Sequence, residues 1–285
     1  MAEQIKPVAA TNLPWPGQFI ANIAAGFAIL ARKPRRAAGI GPRWPAPGRL
    51  FAGTLATIVT LAVVTMVFDA WAISAAGRLP AWLVQGFNDF TDFGRGGVFL
   101  WPLGVLLVMI AVQATLPMTK TSRLVLAALA ARLEFLFVAI AVPGLLTTLL
   151  KRLIGRARPF VGGEADAYLY HPFNWQGAAY ASMPSGHSTT AFSVAIAFGA
   201  LWPAARPVLW IYALVIAASR VVVVAHHPSD VIVGAIVGAF GAILVRNMFA
   251  ARRRVFAPNA QARAKVMPGP SWRRIKAVAG ALRGQ

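Results

Sequence analysis

Residues 207–249 read PVLWIYALVIAASRVVVVAHHPSDVIVGAIVGAFGAILVRNMF, two long apolar runs separated by a short polar segment. The runs cover residues 207–225 and 230–249, and each approaches the roughly 20 residues that a helix needs to cross the hydrocarbon core of a bilayer. The segment between them contains two histidines and borders on an aspartate. This stretch therefore predicts two neighbouring transmembrane helices whose connection carries reactive side chains.

Four other stretches have the same apolar character, which gives six predicted spans. They are residues 50–73, 97–117, 124–150 and 187–203. Residues 17–31 and 79–93 are predicted to form helices that lie in the membrane interface, the second because its pattern is amphipathic. The predicted fold is all-α, a six-span transmembrane helical bundle with interfacial helices. It divides the chain into a cytoplasmic N-terminal segment (1–49), a membrane domain (50–249) and a basic cytoplasmic tail (250–285).

The composition of the 285 residues agrees with a membrane protein and excludes several other classes. Hydrophobic residues make up 58% of the chain and charged residues 13%, whereas a soluble domain has about 25% charged residues. The net charge of +20 suits a nucleic-acid binder, but the apolar content does not, and no nucleic-acid motif is present. The absence of cysteine excludes disulfides and thiolate metal sites.

The basic residues are distributed unevenly between the two sides that six alternating spans define. If residues 1–49 lie inside, 21 of the 28 Lys and Arg fall in cytoplasmic segments and 7 fall outside. Short cytoplasmic loops carry an excess of Lys and Arg, so both termini are predicted to be cytoplasmic, and no cleavable signal peptide is expected. Five of the seven outside cations sit at the outer ends of spans three and five, which marks a candidate functional site.

Three sequence blocks fall at adjacent helix ends on that outer face. The first runs from Lys151 to Arg158-Pro159, the second is Pro184-Ser-Gly-His187, and the third runs from Ser219-Arg220 through His226 to Asp230. Each block alone has a plain structural explanation, as a charged flank, a capped turn and a helix start. Their occurrence together on one membrane face favours a functional site.

The residue types in these blocks suit phosphoryl chemistry. Three cations (Lys151, Arg158 and Arg220) can bind phosphoryl oxygens, and Ser185 and Gly186 can point a hydroxyl and backbone N–H groups at the same anion. Of the two histidines, one can attack phosphorus and the other can protonate the leaving oxygen. Asp230 lies one helical turn after His226 and is predicted to accept its Nδ1–H. Nothing in the sequence resembles a metal site.

The motifs Lys-x6-Arg-Pro, Pro-Ser-Gly-His and Ser-Arg-x5-His-x3-Asp resemble the three signatures of the type 2 phosphatidic acid phosphatase superfamily. That superfamily includes membrane lipid phosphatases, bacterial acid phosphatases and vanadium haloperoxidases. The resemblance is close over residues 151–230, and the six-span layout extends it to about 50–249.

The resemblance implies a metal-independent phosphatase without a cofactor and assigns a role to each motif residue. His226 is implied as the nucleophile, Asp230 as its partner and His187 as the general acid. Lys151, Arg158, Ser185, Gly186 and Arg220 are implied as the phosphate pocket. The expected activity is hydrolysis of a lipid phosphate or diphosphate at the periplasmic face of a bacterial inner membrane. Undecaprenyl diphosphate, phosphatidate, phosphatidylglycerol phosphate and lipid A phosphates are candidate substrates.

Two other functions stay open on the sequence alone. A phosphotransferase would pass the same phosphohistidine to a lipid hydroxyl, and a non-catalytic lipid-phosphate carrier would keep only the cationic pocket. The expected partners are a lipid substrate and the bilayer, and the sequence carries no signal for an oligomeric state.

Several features lie outside the three motifs. His227 is predicted to pack and His171 to be exposed in the loop 160–183. That aromatic-rich loop is interpreted as a cap on the outer leaflet or as an ordinary packed connection. The basic tail is interpreted as a topology signal adsorbed to anionic lipid or as a regulatory or partner-binding segment.

Overall fold

The computed structural model describes residues 14–31, 46–175, 177–258 and 264–283. Its helices are α1 (Trp15–Ala31), α2 (Pro47–Val63), α3 (Ala70–Ala76), α4 (Ala81–Thr91), α5 (Gly96–Gln113), α6 (Lys120–Ile154), α7 (Gly186–Leu201), α8 (Arg206–Val222), α9 (Pro228–Ala251) and α10 (Trp272–Arg283). A π-helical segment, Val64–Asp69, joins α2 to α3, and 3-10 turns occupy Asp92–Gly94 and Pro203–Ala205. Strands β1 (Phe256–Pro258) and β2 (Ala264–Val266) pair antiparallel. The predicted helical architecture is confirmed, with this short hairpin as an addition.

Five helical runs among the described residues are long and apolar enough to cross a membrane. They are Pro47–Ala76, Ala81–Gln113, Lys120–Ile154, Pro203–Val222 and Pro228–Ala251. The remaining predicted span, 187–203, corresponds to α7, which has 16 residues and a length of about 24 Å. It falls short of the roughly 30 Å hydrocarbon core because Ser185 caps its start and Pro203 follows its end.

The chain forms two compact units, of which one contains all three motifs. This motif unit comprises Gly41–Leu100 and Val138–Val245. Its core includes Ala191 of α7 packed against Ala213 and Ile216 of α8. Helix α9 approaches α7 so closely at Gly238 that a Cβ there would clash with the Thr189 carbonyl oxygen. Glycine at this position therefore permits the close approach of α9 to α7.

The second unit comprises Met1–Ile40, Trp101–Phe137 and Arg246–Gln285. In it the Asn22 amide of α1 donates to the Ala111 carbonyl of α5 over 3.1 Å. The Phe135 ring contacts those of Phe249 and Phe256 edge to face. The described part of the basic tail also packs here, with Val278 of α10 in an apolar cluster that includes Met118, Val125 and Leu126. The tail therefore has a folded part in addition to its positive charge.

Candidate active site

The turn between α8 and α9 places His226, whose side chain is buried. The backbone N–H groups of Ala225 and His226 both donate to the Arg220 carbonyl, over 3.0 and 3.2 Å. Val224 adopts φ +53°, a conformation that β-branched residues rarely adopt. This tight turn ties the end of α8, where Arg220 lies, directly to the predicted nucleophile.

The predicted hydrogen bond between His226 and Asp230 is not formed directly. His226 Nδ1 lies 3.7 Å from Asp230 Oδ2, and the Ser182 hydroxyl contacts both groups. Ser182 Oγ donates to Asp230 Oδ2 over 2.6 Å and stands 3.3 Å from His226 Nδ1. Asp230 Oδ2 also accepts the backbone N–H of His227 over 2.9 Å, so its position is held from two sides.

Asp230 belongs to a buried charge cluster, composed of Asp69, Arg156, Ser229 and Asp230, that the sequence analysis did not identify. Arg156 is fully buried and donates to Asp230 Oδ1 and to Asp69 Oδ2, each over 2.7 Å. Its remaining donors reach Ser229 Oγ and the Ala167 carbonyl. Asp69 in turn accepts from the backbone N–H and hydroxyl of Ser229. One arginine thus joins the first predicted span to the start of α9.

The N-terminus of α7 is fixed against the same turn. The Ser185 backbone N–H donates to the Asp230 carbonyl over 2.9 Å, and the Ser185 hydroxyl caps α7 by accepting from Ser188. Gly186 and His187 form the first turn of α7, and a Cβ on Gly94 would lie 3.0 Å from His187 Cδ2. Glycine at position 94 therefore gives the His187 ring its space.

Three cations come from three different segments. Lys151 ends α6 and its ammonium donates to the Ala181 and Ser182 carbonyls. Arg158 Nε donates to the Ala178 carbonyl over 3.1 Å. Arg220 Nη1 donates to the Thr91 hydroxyl over 2.7 Å, while its buried Nε has no partner among the described residues. Each cation is positioned by backbone or hydroxyl oxygens and none of the three forms an ion pair within the described chain.

Burial is the main influence on the protonation of His226. It lowers the pKa of the imidazole to about 4, and the nearby charges of Lys151 and Arg158 act in the same direction. The carboxylate of Asp230 raises that pKa and only partly offsets these effects. The imidazole is therefore neutral at physiological pH, the form in which its free nitrogen can act as a nucleophile.

This depressed pKa predicts how the His226 ring responds to acid. Between pH 4 and the ordinary histidine pKa of about 6.5, the unfolded chain binds more protons at this position than the folded chain. The contribution of His226 to folding stability is therefore lost as the pH falls from 6.5 towards 4. Ring nitrogen NMR of histidine-labelled protein is expected to show one signal that titrates near pH 4 and is missing in His226→Asn. A His226 signal that titrates near pH 6.5 would contradict the prediction.

The residues outside the motifs are placed as follows. His227 is fully buried, and its two ring nitrogens make no hydrogen bond to any described residue. His171 is exposed and its ring lies 5.6 Å from that of Tyr180. The loop 160–183 exposes aromatic side chains, including Phe173 at 67% and Trp175 at 60%. Within the described residues, no group of three or more His, Asp or Glu has a metal-binding arrangement.

Comparison with known proteins identifies the family. Residues 133–254 match the PAP2 superfamily. The lipid A 1-phosphatase of Rhizobium johnstonii is 34% identical over 230 residues, which cover 79% of this chain and 90% of that protein. The chain belongs to the PAP2 superfamily. The lipid A 1-phosphatase of Rhizobium etli is also 34% identical, over 68% of this chain and 82% of its own length. The family expected from the three motifs is therefore confirmed.

Two crystal structures are also similar to this PAP2 protein. Aquifex aeolicus LpxE has a TM-score of 0.45 and 22% identity, and the alignment covers 63% of this chain and 94% of LpxE. The first transmembrane PAP2-type phosphatidylglycerolphosphate phosphatase from Bacillus subtilis has a TM-score of 0.40 and 16% identity, with coverage of 80% and 94%. The similarity to its curated relatives, the family match and the apolar helices together show that the chain is a multi-pass membrane phosphatase of the PAP2 family.

The residues that sequence reasoning missed include Asp69, Arg156, Ser182 and Thr91. Asp69 could have been found, because an acidic residue inside an otherwise apolar span is a functional signal by default. Arg156 was grouped with the other outside cations, and nothing in the sequence separates a buried structural arginine from one that binds phosphate. Ser182 and Thr91 carry no such signal, since their partners lie 44 or more residues away along the chain.

Ser182→Ala tests the bridging hydroxyl of this PAP2 phosphatase. The substitution leaves the buried Nδ1 of His226 without the hydroxyl that faces it, and an unsatisfied buried group costs about 1–3 kcal/mol. If the reactive orientation of the imidazole becomes less stable by this amount, kcat is expected to drop about 10- to 100-fold, with little change in KM. Steady-state kinetics in detergent provides the measurement. Ser193→Ala is the matched control, because Ser193 is equally buried on α7 and donates to the Gly238 carbonyl. Equal kinetics for the two variants would contradict a role for Ser182.

Proposed function

We propose that this PAP2 phosphatase hydrolyses a phosphate monoester of a membrane lipid, with the 1-phosphate of lipid A as the first candidate. The choice of lipid rests on two curated relatives that carry the name lipid A 1-phosphatase, one of them matched over 90% of its length. Phosphatidate, phosphatidylglycerol phosphate and undecaprenyl diphosphate are the lipids against which this candidate is to be compared. The catalytic domain corresponds to residues 50–249.

One observation carries the proposed mechanism: the hydrogen-bonded series His226, Ser182 and Asp230. Because the Ser182 hydroxyl donates its single proton to Asp230, its contact with the imidazole is satisfied when Nδ1 of His226 is the donor. The proton on Nδ1 leaves Nε2 with its lone pair free. A neutral imidazole fixed in this tautomer is the form that attacks phosphorus.

In the first step, Nε2 of His226 forms a bond to phosphorus as the bond between phosphorus and the lipid oxygen breaks. His187 gives its proton to that oxygen, so the lipid leaves as a neutral alcohol. In the second step, His187 takes a proton from water as the water oxygen attacks the phosphohistidine. The phosphorus–nitrogen bond breaks, inorganic phosphate leaves and His226 is neutral again.

The phosphate oxygens are held by Lys151, Arg158 and Arg220, together with the capped start of α7 at Ser185 and Gly186. The buried Nε of Arg220, which has no partner among the described residues, supports this role, because a bound phosphoryl oxygen would supply the missing acceptor. These donors are already positioned by oxygens of the protein, so little reorganisation is needed when negative charge develops in the transition state.

We place this chemistry at the periplasmic face of the inner membrane with both termini in the cytoplasm, an orientation in which the short helix α7 counts as one of six crossings. The basic residues support that orientation, since 21 of 28 lie in the segments assigned to the cytoplasm. Cysteine scanning with a membrane-impermeant reagent tests it, because the native chain has no cysteine. A cysteine at exposed Glu164 in the loop 160–183 is expected to react in intact cells with a permeable outer membrane, whereas one at exposed Trp272 is not.

Phosphate release from a panel of purified lipids in detergent tests the proposed substrate. Lipid A is expected to give the highest kcat/KM, with mass spectrometry showing loss of the 1-phosphate and retention of other phosphates. Release from phosphatidate alone would reject the lipid A assignment while keeping the phosphatase. Appearance of the phosphate on a second lipid, without free phosphate, would indicate a phosphotransferase.

A further inference from the structure

The second unit contains a cavity of about 570 Å³ that none of the three motifs reaches. It lies among α1, α5 and the first half of α6, and its volume is in the range of pockets that bind small ligands, about 300–1,000 Å³. Small residues on all three helices create the space, among them Gly26, Ala111 and Ala130. A Cβ added to Gly26 would meet no other atom within 4 Å.

The cavity is elongated along the helices. Its lining on α6 extends from Arg123 to Phe137, which corresponds to about 20 Å of helix. That length is comparable with one leaflet of the hydrocarbon core, about 15 Å. Most of the wall is apolar, with side chains such as Leu107, Ile110 and Leu126. A single acyl chain that runs parallel to the helices fits these dimensions and this chemistry.

The charged side chains of the cavity wall carry a net positive charge. Arg123, Glu134 and Arg254 line the cavity, so two cations face one carboxylate. Arg254 Nη2 lies 3.4 Å from Glu134 Oε2, but Nη1 of Arg254 and Oε1 of Glu134 are buried without a partner among the described residues. A buried unsatisfied group costs about 1–3 kcal/mol, and a ligand that offers an anionic oxygen and a hydroxyl would supply both missing partners.

We propose that this cavity is a non-catalytic binding site for an anionic lipid with a hydroxyl-bearing headgroup. One acyl chain occupies the apolar wall among α1, α5 and α6. The acidic group pairs with the excess cations, and the hydroxyl donates to Glu134. The site is separate from the phosphatase motifs and does not depend on the proposed substrate.

A photoactivatable acyl probe tests the proposal in the full-length protein. Lysophosphatidylglycerol with a diazirine in its chain is the anionic probe, and lysophosphatidylcholine with the same chain is the zwitterionic control. Both are phosphodiesters, so neither is a phosphate monoester substrate. Labelling by the anionic probe is expected to concentrate on peptides of α1, α5 and α6 and to exceed labelling by the zwitterionic probe about fivefold, since a basic residue contributes about 1 kcal/mol.

Variants of the cavity distinguish a site from general lipid contact. Ala111→Leu with Ala130→Leu fills the space and is expected to remove the localised labelling. Arg123→Gln is expected to lower the preference for the anionic probe towards unity. Ala56→Leu is the control, because Ala56 is exposed on α2 and is expected to change nothing. Phosphatase turnover that persists in all variants shows that they fold. Labelling that is spread equally over α2, or equal for the two probes, would overturn the proposal.

Discussion

Replacing His226 with alanine is expected to lower phosphatase activity by more than about 10³-fold while the protein still inserts and purifies normally. Removal of a nucleophile eliminates the covalent route, and what remains is the catalysis that binding alone provides. The side chain is 2% exposed, so alanine leaves a small buried cavity. That cavity lowers the free energy of unfolding only moderately, and the variant is therefore expected to fold. Phosphate release in detergent measures the effect, and chelators are expected to leave the wild-type rate unchanged.

A trapping experiment identifies the intermediate behind that loss. In the proposed mechanism His187 protonates the leaving oxygen first and activates water second, so His187→Asn is expected to accumulate the phosphoenzyme from radioactive p-nitrophenyl phosphate, whose leaving group needs no proton. The label is expected on His226, with the acid lability and alkali stability of phosphohistidine. No label is expected in His226→Ala. Retention of activity in His226→Ala, or label on another residue, would reject the proposed mechanism.

The sequence predicted the helical elements well, because the apolar runs that indicate them are local properties. Five of the predicted spans fall on helical runs long enough to cross a membrane. Helix α7 is the exception, since its 16 residues are fixed by a serine cap and a following proline. Residues 187–203 are apolar enough to be predicted as a span, but Ser185 and Pro203 limit the length of the helix.

The sequence predicts which residues form the candidate site, but it does not predict the contacts among them. The spacing of His226 and Asp230 predicts side chains on one face of a helix, and the structure brings them to 3.7 Å. That spacing does not predict Ser182, whose hydroxyl contacts both side chains from a loop 44 residues before His226. Asp69 shows the same limit, because its bond to Arg156 joins residues 87 positions apart. Such contacts depend on tertiary packing, which local sequence patterns do not reveal.

Replacing Arg156 with methionine is expected to destabilise the folded protein by about 3–5 kcal/mol and to remove most of the activity. Methionine keeps much of the volume and removes the charge, which leaves the carboxylates of Asp69 and Asp230 buried without a cation. Removing one partner of a buried ion pair has a cost of this size because the remaining charge is uncompensated. The loss of activity follows because Asp230 holds the hydroxyl that faces His226.

The thermal transition of detergent-solubilised protein, followed by size-exclusion chromatography, measures this destabilisation. Arg152→Met is the matched control, since Arg152 lies in the last turn of α6, four residues before Arg156, is only half-buried and donates to the Gly177 carbonyl. Adding Asp69→Asn to Arg156→Met is expected to restore part of the thermal stability, because one of the two uncompensated charges is removed. The activity is expected to stay low in the double variant, since Asp230 still lacks its cation. An Arg156→Met protein as stable and active as Arg152→Met would contradict the proposal that Arg156 positions Asp230.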